Sequence, residues 1–159
     1  MNLIKILGIG SPFGDDQVGW VVADSLKNKL SREQEAYQMV SIECYDRPGV
    51  RLIELISSAK TVFLIDAVKS ECAIGTIHRL KNDEIYEFKN MLSTHAMGVA
   101  QALELGNSLK VLPEEIILYG IEIDDIVLND SISKSVKKAI IMVVTQLKRD
   151  LDNMLKYTG

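Results

Sequence analysis

Cysteine, positive charge, histidine and long apolar runs are all in short supply in this sequence, and each shortage removes a class of protein. There are two cysteines, Cys44 and Cys72, without CxxC spacing. A disulfide framework or zinc knuckle is therefore unsupported, the compartment reads as reducing, and both thiols are expected to be buried and inert. Eighteen Lys and Arg face 22 Asp and Glu, for a net charge of −4 and a pI near 5.2. Such a chain has no broad basic field for a phosphate backbone, so nucleic acid is not an expected partner. The apolar runs fall short of the roughly 20 residues that span a bilayer, and MNLIKILGIGSPFGDD lacks the apolar length and cleavage site of a signal peptide. A cytoplasmic protein without membrane insertion is expected. No internal repeat or low-complexity linker divides the chain. Its 159 residues, 47% of them hydrophobic, suit one compact domain over 1–159.

What is present is an alternation of two periods. Residues 3–9 form a short apolar run broken by Lys5 and bounded by glycine, which suits a strand buried in a parallel sheet. From Val18 onward, Val18, Val21, Val22, Leu26 and Leu30 recur at helical spacing, with Lys27, Lys29 and Arg32 toward the end where cations favour the helix dipole. The pattern repeats as MVSIECY (39–45), the turn DRPG (46–49) and a helix over 50–59. TVFLIDAV (61–68) is the most apolar strand. Residues 75–80 read as a short edge strand, residues 92–109 as a helix with Ser93 or Thr94 as N-cap and Gly106–Asn107 as its stop, and residues 114–123 as the last strand. A long amphipathic helix over about 133–157 closes the chain. The expected fold is α/β, a three-layer sandwich with a mostly parallel twisted sheet flanked by helices on both faces.

In such sheets ligands bind at the carboxyl edge of the strands. Three places put reactive side chains there: Asp15 and Asp16 between the first strand and helix, Asp66 ending the run VFLI, and His95 in the first turn of its helix. A carboxylate ending a buried strand must be hydrogen-bonded, be paired, or hold a cation. Turn or helix capping competes with that role at Asp66 and Asp16. A histidine near a helix N-terminus stays neutral, the form that ligates a metal or accepts a proton. Two carboxylates and an imidazole make an O,O,N set, which suits a borderline ion such as Ni²⁺ or Zn²⁺ better than Mg²⁺. GIG at 8–10 lacks the last glycine of G-x-G-x-x-G, since Phe13 stands there, so a dinucleotide site is poorly supported. His78, Trp20, the methionines and the pair Asp124–Asp125 read as structural or solvated residues.

GIGSPFGDDQVG, FLIDAV, STHAMG and LYGIEI, in that order, resemble the motifs of the NiFe-hydrogenase maturation proteases over nearly the whole chain. The resemblance implies an endopeptidase that trims the C-terminal extension of a hydrogenase large-subunit precursor after nickel insertion. It matches Asp16, Asp66 and His95 to the family's catalytic and metal-contacting set. Nickel arrives with the substrate, and the site is expected to bind Zn or Cd in the free protein. Two positions depart from the family pattern: Ser11 stands where Asn is common, and YDRPGV stands where many members carry D-G-G-T-x-G. Asp46, Arg47 and Gly49 are the candidates for substrate recognition, and Pro48 fixes a backbone angle that glycine would leave free. A monomer is expected. Two rivals remain: a hydrolase with its own zinc acting on another peptide or amide, and a non-catalytic chaperone for the precursor.

Overall fold

The computed structural model describes residues 3–89, 98–124 and 131–158. Five strands, β1 (Ile4–Gly10), β2 (Val40–Asp46), β3 (Thr61–Val68), β4 (Ile77–Lys81) and β5 (Glu115–Glu122), form one sheet in the order β2-β1-β3-β5-β4. All neighbours are parallel except β4, which runs antiparallel to β5. The antiparallel direction is what the period-2 pattern of residues 75–80 left open, because alternation carries no information about strand polarity. The helices are α1 (Val18–Leu30), α2 (Leu52–Ile56), α3 (Asp83–Lys89), α4 (Gly98–Ser108) and α5 (Lys134–Thr158).

The sheet is buried on both faces, which is why its central strands read as apolar runs. On one side α1 and α5 bring Val22, Leu26, Val143 and Leu147 onto Ile6, Phe63 and Tyr119. On the other, α2, α3 and α4 bring Leu52, Ile85 and Leu103 onto Leu7, Leu64 and Leu118. Val62, Phe63, Leu64 and Ile65 are fully enclosed, each such side chain stabilising the fold by about 1.5–3 kcal/mol. A polar clamp fixes α5: the Tyr119 hydroxyl donates to Asp150 over 2.5 Å, and Arg79 donates to both Tyr119 and Asp150. Among the described residues no helix is long and apolar enough to cross a membrane.

Several local expectations are corrected. The helix expected over 50–59 is shorter: a 3₁₀ turn, Gly49–Arg51, precedes the five residues of α2. The polar stretch before residue 92 carries a helix of its own, α3, recruited by burial of Ile85 and Phe88. Gly106–Asn107 does not stop α4. Lys110 takes the left-handed conformation (φ 57°), with Val111 N–H bonded to the Gly106 carbonyl and Lys110 N–H to that of Asn107. That is a Schellman ending with a lysine in glycine's usual place. Gly106 is small because a Cβ there would lie 2.4 Å from the Leu112 side chain. Cys44 and Cys72 are exposed free thiols rather than buried ones, since both fall where the sheet or its connections meet solvent. Met39 and Met142 are also exposed.

The tightest packing lies between α1 and the strands beneath it. A Cβ on Gly19 would stand 2.2 Å from the Ile9 carbonyl oxygen and 2.5 Å from that of Ile65, and one on Gly8 would stand 2.2 Å from the Gly19 oxygen. Backbone therefore lies on backbone here, and no side chain fits between. Gly19→Ala is expected to destabilise the protein by about 3 kcal/mol through overpacking, measured as a lower urea midpoint with an unchanged slope.

Candidate active site

The strand order places the carboxyl ends of β1 and β3 side by side, with the chain leaving β1 toward β2 on one flank while β3 lies on the other. That is a topological switch point, where open α/β sheets form a crevice. A cleft of about 240 Å³ opens there, lined by Gly10, Asp16, Arg47, Gly49, Asp66 and Lys69 among its polar and backbone groups, and by Ile9, Leu52, Val99 and Ile123 among its apolar ones.

Asp16 reaches the cleft from a 3₁₀ turn, Gly14–Gln17, between β1 and α1. The N-cap positions of that turn and of α1, Phe13 and Gln17, make no side-chain capping bond. The Ser11 hydroxyl donates to the Asp16 carboxylate, and the Ser11 amide donates to the Asp16 carbonyl over 3.2 Å. Ser11 is 1% exposed, so the donor of this bond is held in place by the packing around it and orients the carboxylate. The serine that departs from the family's usual asparagine thus retains a polar group at the site.

Asp15 does something else. Its two oxygens accept from the Ser133 amide (2.7 Å) and the Ser133 hydroxyl (2.9 Å), just before α5 begins. The adjacent acids are divided: one faces the cleft, the other anchors the last helix.

Asp66 stands near the end of β3, in register with Gly120. Its Oδ1 accepts the Ala67 amide over 2.9 Å. Burial pushes its carboxyl well above the usual carboxylate range, the neighbouring Asp16 charge pushes it further, and the Ala67 amide pulls the other way. The cleft therefore holds two carboxyl groups that repel when both are ionised, an arrangement that takes up a proton or a cation. That favours a site role for Asp66 over simple turn capping.

The recognition candidates are brought to the same cleft unequally. Arg47 and Gly49 line it; Asp46 sits at the end of β2 and pairs with Arg47 over 3.0 Å, both side chains more than half exposed. Arg47 (φ 42°) and Gly49 (φ 58°) are both left-handed, with Pro48 held between them at −66°. Lys69, which no motif marked, also lines the cleft. Its position just past the end of β3 was the available signal. His95, Ser93, Thr94 and Asp125 lie outside the described residues.

Fold and site define an open α/β protein whose switch-point crevice is lined by two carboxyl groups, Asp16 and Asp66, rather than by a glycine-rich dinucleotide loop. The profile of the family described as hydrogenase maturation protease (HycI) matches residues 47–149, well over half of the chain, and the chain belongs to that family. The matched span includes Asp66 and begins after Asp16. The hydrogenase expression/formation protein HoxM of Azotobacter vinelandii is 26% identical over 125 residues, covering 77% of this chain. The chain spans only 59% of the length of that relative. The hydrogenase maturating endopeptidase HybD of E. coli superposes with a TM-score of 0.77 at 21% identity, covering 97% of this chain and 94% of the other. The hydrogenase maturation protease HybD of Thermococcus kodakarensis does so with a TM-score of 0.69 at 23% identity, covering 94% and 98%. At these identities the superpositions establish the shared fold.

Two outcomes are expected at the acidic pair. Because the raised Asp66 carboxyl disfavours its charged form in the fold, its cost is absent below about pH 4, the ordinary aspartate range. It grows as pH rises through the raised value. In chelator, Asp66→Asn should therefore be more stable than the parent at neutral pH, with a gap that closes on acidification; urea unfolding across a pH series measures it. Asp15→Ala should lose about 1 kcal/mol, the usual net worth of a hydrogen bond, by the same method, and retain the processing activity proposed below.

Proposed function

We propose that this protein is an endopeptidase that removes the C-terminal extension of a NiFe-hydrogenase large-subunit precursor after nickel insertion. The observation that carries the reading is the convergence of Asp16 and Asp66 in one switch-point cleft, in a chain of the hydrogenase maturation protease family. Nickel is part of the substrate and serves as the recognition element, met by Asp16, Asp66 and His95. An O,O,N donor set suits that ion, and a cation would offset both the burial and the Asp16 repulsion that raise Asp66.

On this reading the precursor's C-terminal segment enters the cleft with a side chain against Ile9, Leu52 and Val99. Arg47 and Gly49 take its backbone or acidic groups at the rim, and Asp46 steadies Arg47. Nickel fixes the neighbouring peptide bond and polarises its carbonyl. Water adds to the carbonyl carbon and its proton passes to a carboxylate. The C–N bond then breaks and the proton goes to the leaving amine. Asp66 is the carboxylate best suited to that traffic, because its proton affinity is raised toward the working pH. Ala67 holds Oδ1, which leaves Oδ2 to face the substrate. The protein acts as a monomer in the cytoplasm.

The test is mass spectrometry of a purified nickel-loaded precursor incubated with the protein. The parent should remove the C-terminal extension, while Asp16→Asn, Asp66→Asn and His95→Ala each slow removal by at least about 100-fold. Normal cleavage by those variants would overturn the site. Stable complex formation without any mass change would make the protein a precursor-binding chaperone. Equal cleavage of nickel-free precursor would point to a hydrolase that does not read nickel.

A further inference from the structure

A second constellation of ligating side chains lies on the same edge of the sheet, toward β4. Glu122, near the end of β5, is 1% exposed. Its Oε2 accepts the Ser70 amide over 2.7 Å, while its Oε1 accepts the Ser70 hydroxyl over 2.5 Å and lies 3.0 Å from His78 Nε2. The partners are an amide, a hydroxyl and an imidazole, none of them a fixed cation, although a carboxylate buried this deeply is costly without one. The His78 ring is itself oriented, packing against Phe88 at 4.7 Å between centroids. Cys72 completes the group: its sulfur lies 3.4 Å from the Ser70 hydroxyl, and the sulfur, the His78 nitrogen and a Glu122 oxygen all lie within 4.8 Å of one another.

We infer that Cys72, His78 and Glu122 form a binding site for a divalent transition ion of the zinc class, separate from the Asp16–Asp66 cleft. One thiolate, one imidazole and one carboxylate are the donor types zinc takes, and three protein ligands leave a fourth tetrahedral position for water. The widest separation, up to 4.8 Å, exceeds by about 1 Å the ligand separations around tetrahedral zinc, while the 3.0 Å between His78 and Glu122 is slightly shorter, so binding draws Cys72 inward and parts the other two. Cys72 is exposed, which gives the ion a path in. On binding, the thiol proton leaves to solvent as the sulfur–metal bond forms. His78 carries its remaining proton on Nδ1 so that the Nε2 lone pair meets the metal. The Ser70 hydroxyl, which donates to Glu122, is the outer partner that orients the carboxylate.

The consequence is structural. Ser70 and Cys72 belong to the connection between β3 and β4, which is already fastened to β5 by the Gly75 amide on the Glu122 carbonyl and the Glu122 amide on the Thr76 carbonyl, both 2.8 Å. An ion on Cys72, His78 and Glu122 staples that connection, and Lys69 at its start lines the cleft. The inference does not rest on the peptidase reading, and its test uses no activity.

The test is titration of the chelator-stripped, reduced full chain with Co²⁺, which reports a thiolate ligand by near-ultraviolet charge transfer and a tetrahedral site by intense visible bands. One equivalent should produce both signals. They should persist in Cys44→Ser and in the double variant Asp16→Asn/Asp66→Asn, and vanish in Cys72→Ser and in His78→Gln. Zinc should displace the cobalt and raise the thermal midpoint of the Asp16→Asn/Asp66→Asn variant but not of the triple variant that adds Cys72→Ser, a substitution at an exposed side chain. Ser70→Ala should weaken zinc binding by about 10-fold to 100-fold. Absence of the thiolate signal in the parent, or its survival in Cys72→Ser, would overturn the site.

Discussion

The contact on which the rest of this molecule depends is the one between bare backbones at Gly8 and Gly19. Helix α1 lies so close to β1 and β3 that its Gly19 Cα hydrogens meet carbonyl oxygens of both strands, and the Gly8 position receives the Gly19 oxygen in turn. Because α1 starts there, the turn before it has no freedom to swing away from the sheet edge. Asp16 is held beside Asp66 by that constraint, and the Ser11 hydroxyl then sets the direction of its carboxylate. A larger residue at either glycine would push the helix out and separate the two acids. Packing and site geometry are thus one requirement, met by the absence of side chains.

Keeping two carboxyl groups in one cleft costs stability, and the fold offsets the cost locally rather than removing it. The Ala67 amide relieves part of the burden on Asp66, while repulsion from Asp16 remains. A site tuned only for stability would have placed a basic group between them. Under the proposed function, that repulsion is what a cation delivered with the substrate would relieve. Glu122 follows a different logic: it is buried, with an imidazole and a thiol beside it.

Much of the fold was legible because the sheet is buried on both faces and the helices on one. Apolar runs at 3–9 and 61–68 and helical spacing from Val18 and through the last helix were therefore clean signals. The misreadings came where local and tertiary cues compete. Gly106 looked like a helix stop, but it is small to admit Leu112, and Lys110 accepts the left-handed ending because hydrogen bonds and packing hold it. The α3 segment reads as polar since, among its described side chains, Ile85 and Phe88 are the buried ones, with Tyr86 partly packed beside them. Cysteine's usual preference for burial misled at Cys44 and Cys72, which fall at a lateral strand and a connection.

By itself the sequence determined that strands alternate with helices, that acids occupy the ends of β1 and β3, and that the ordered motifs belong to one family. Those features are encoded in neighbouring residues, where period and position relative to a strand end suffice. The resemblance pointed to Asp16 of the adjacent pair, and only the tertiary structure gave the physical reason that it, and not Asp15, enters the cleft. Asp15 and Asp16 are chemically identical and one residue apart, and their roles diverge because Ser133 lies on one side of the turn and Ser11 and Asp66 on the other. The grouping of Cys72, His78 and Glu122 was equally invisible along the chain, since it arises from an antiparallel edge strand folding back on β5, a pairing between residues 44 positions apart.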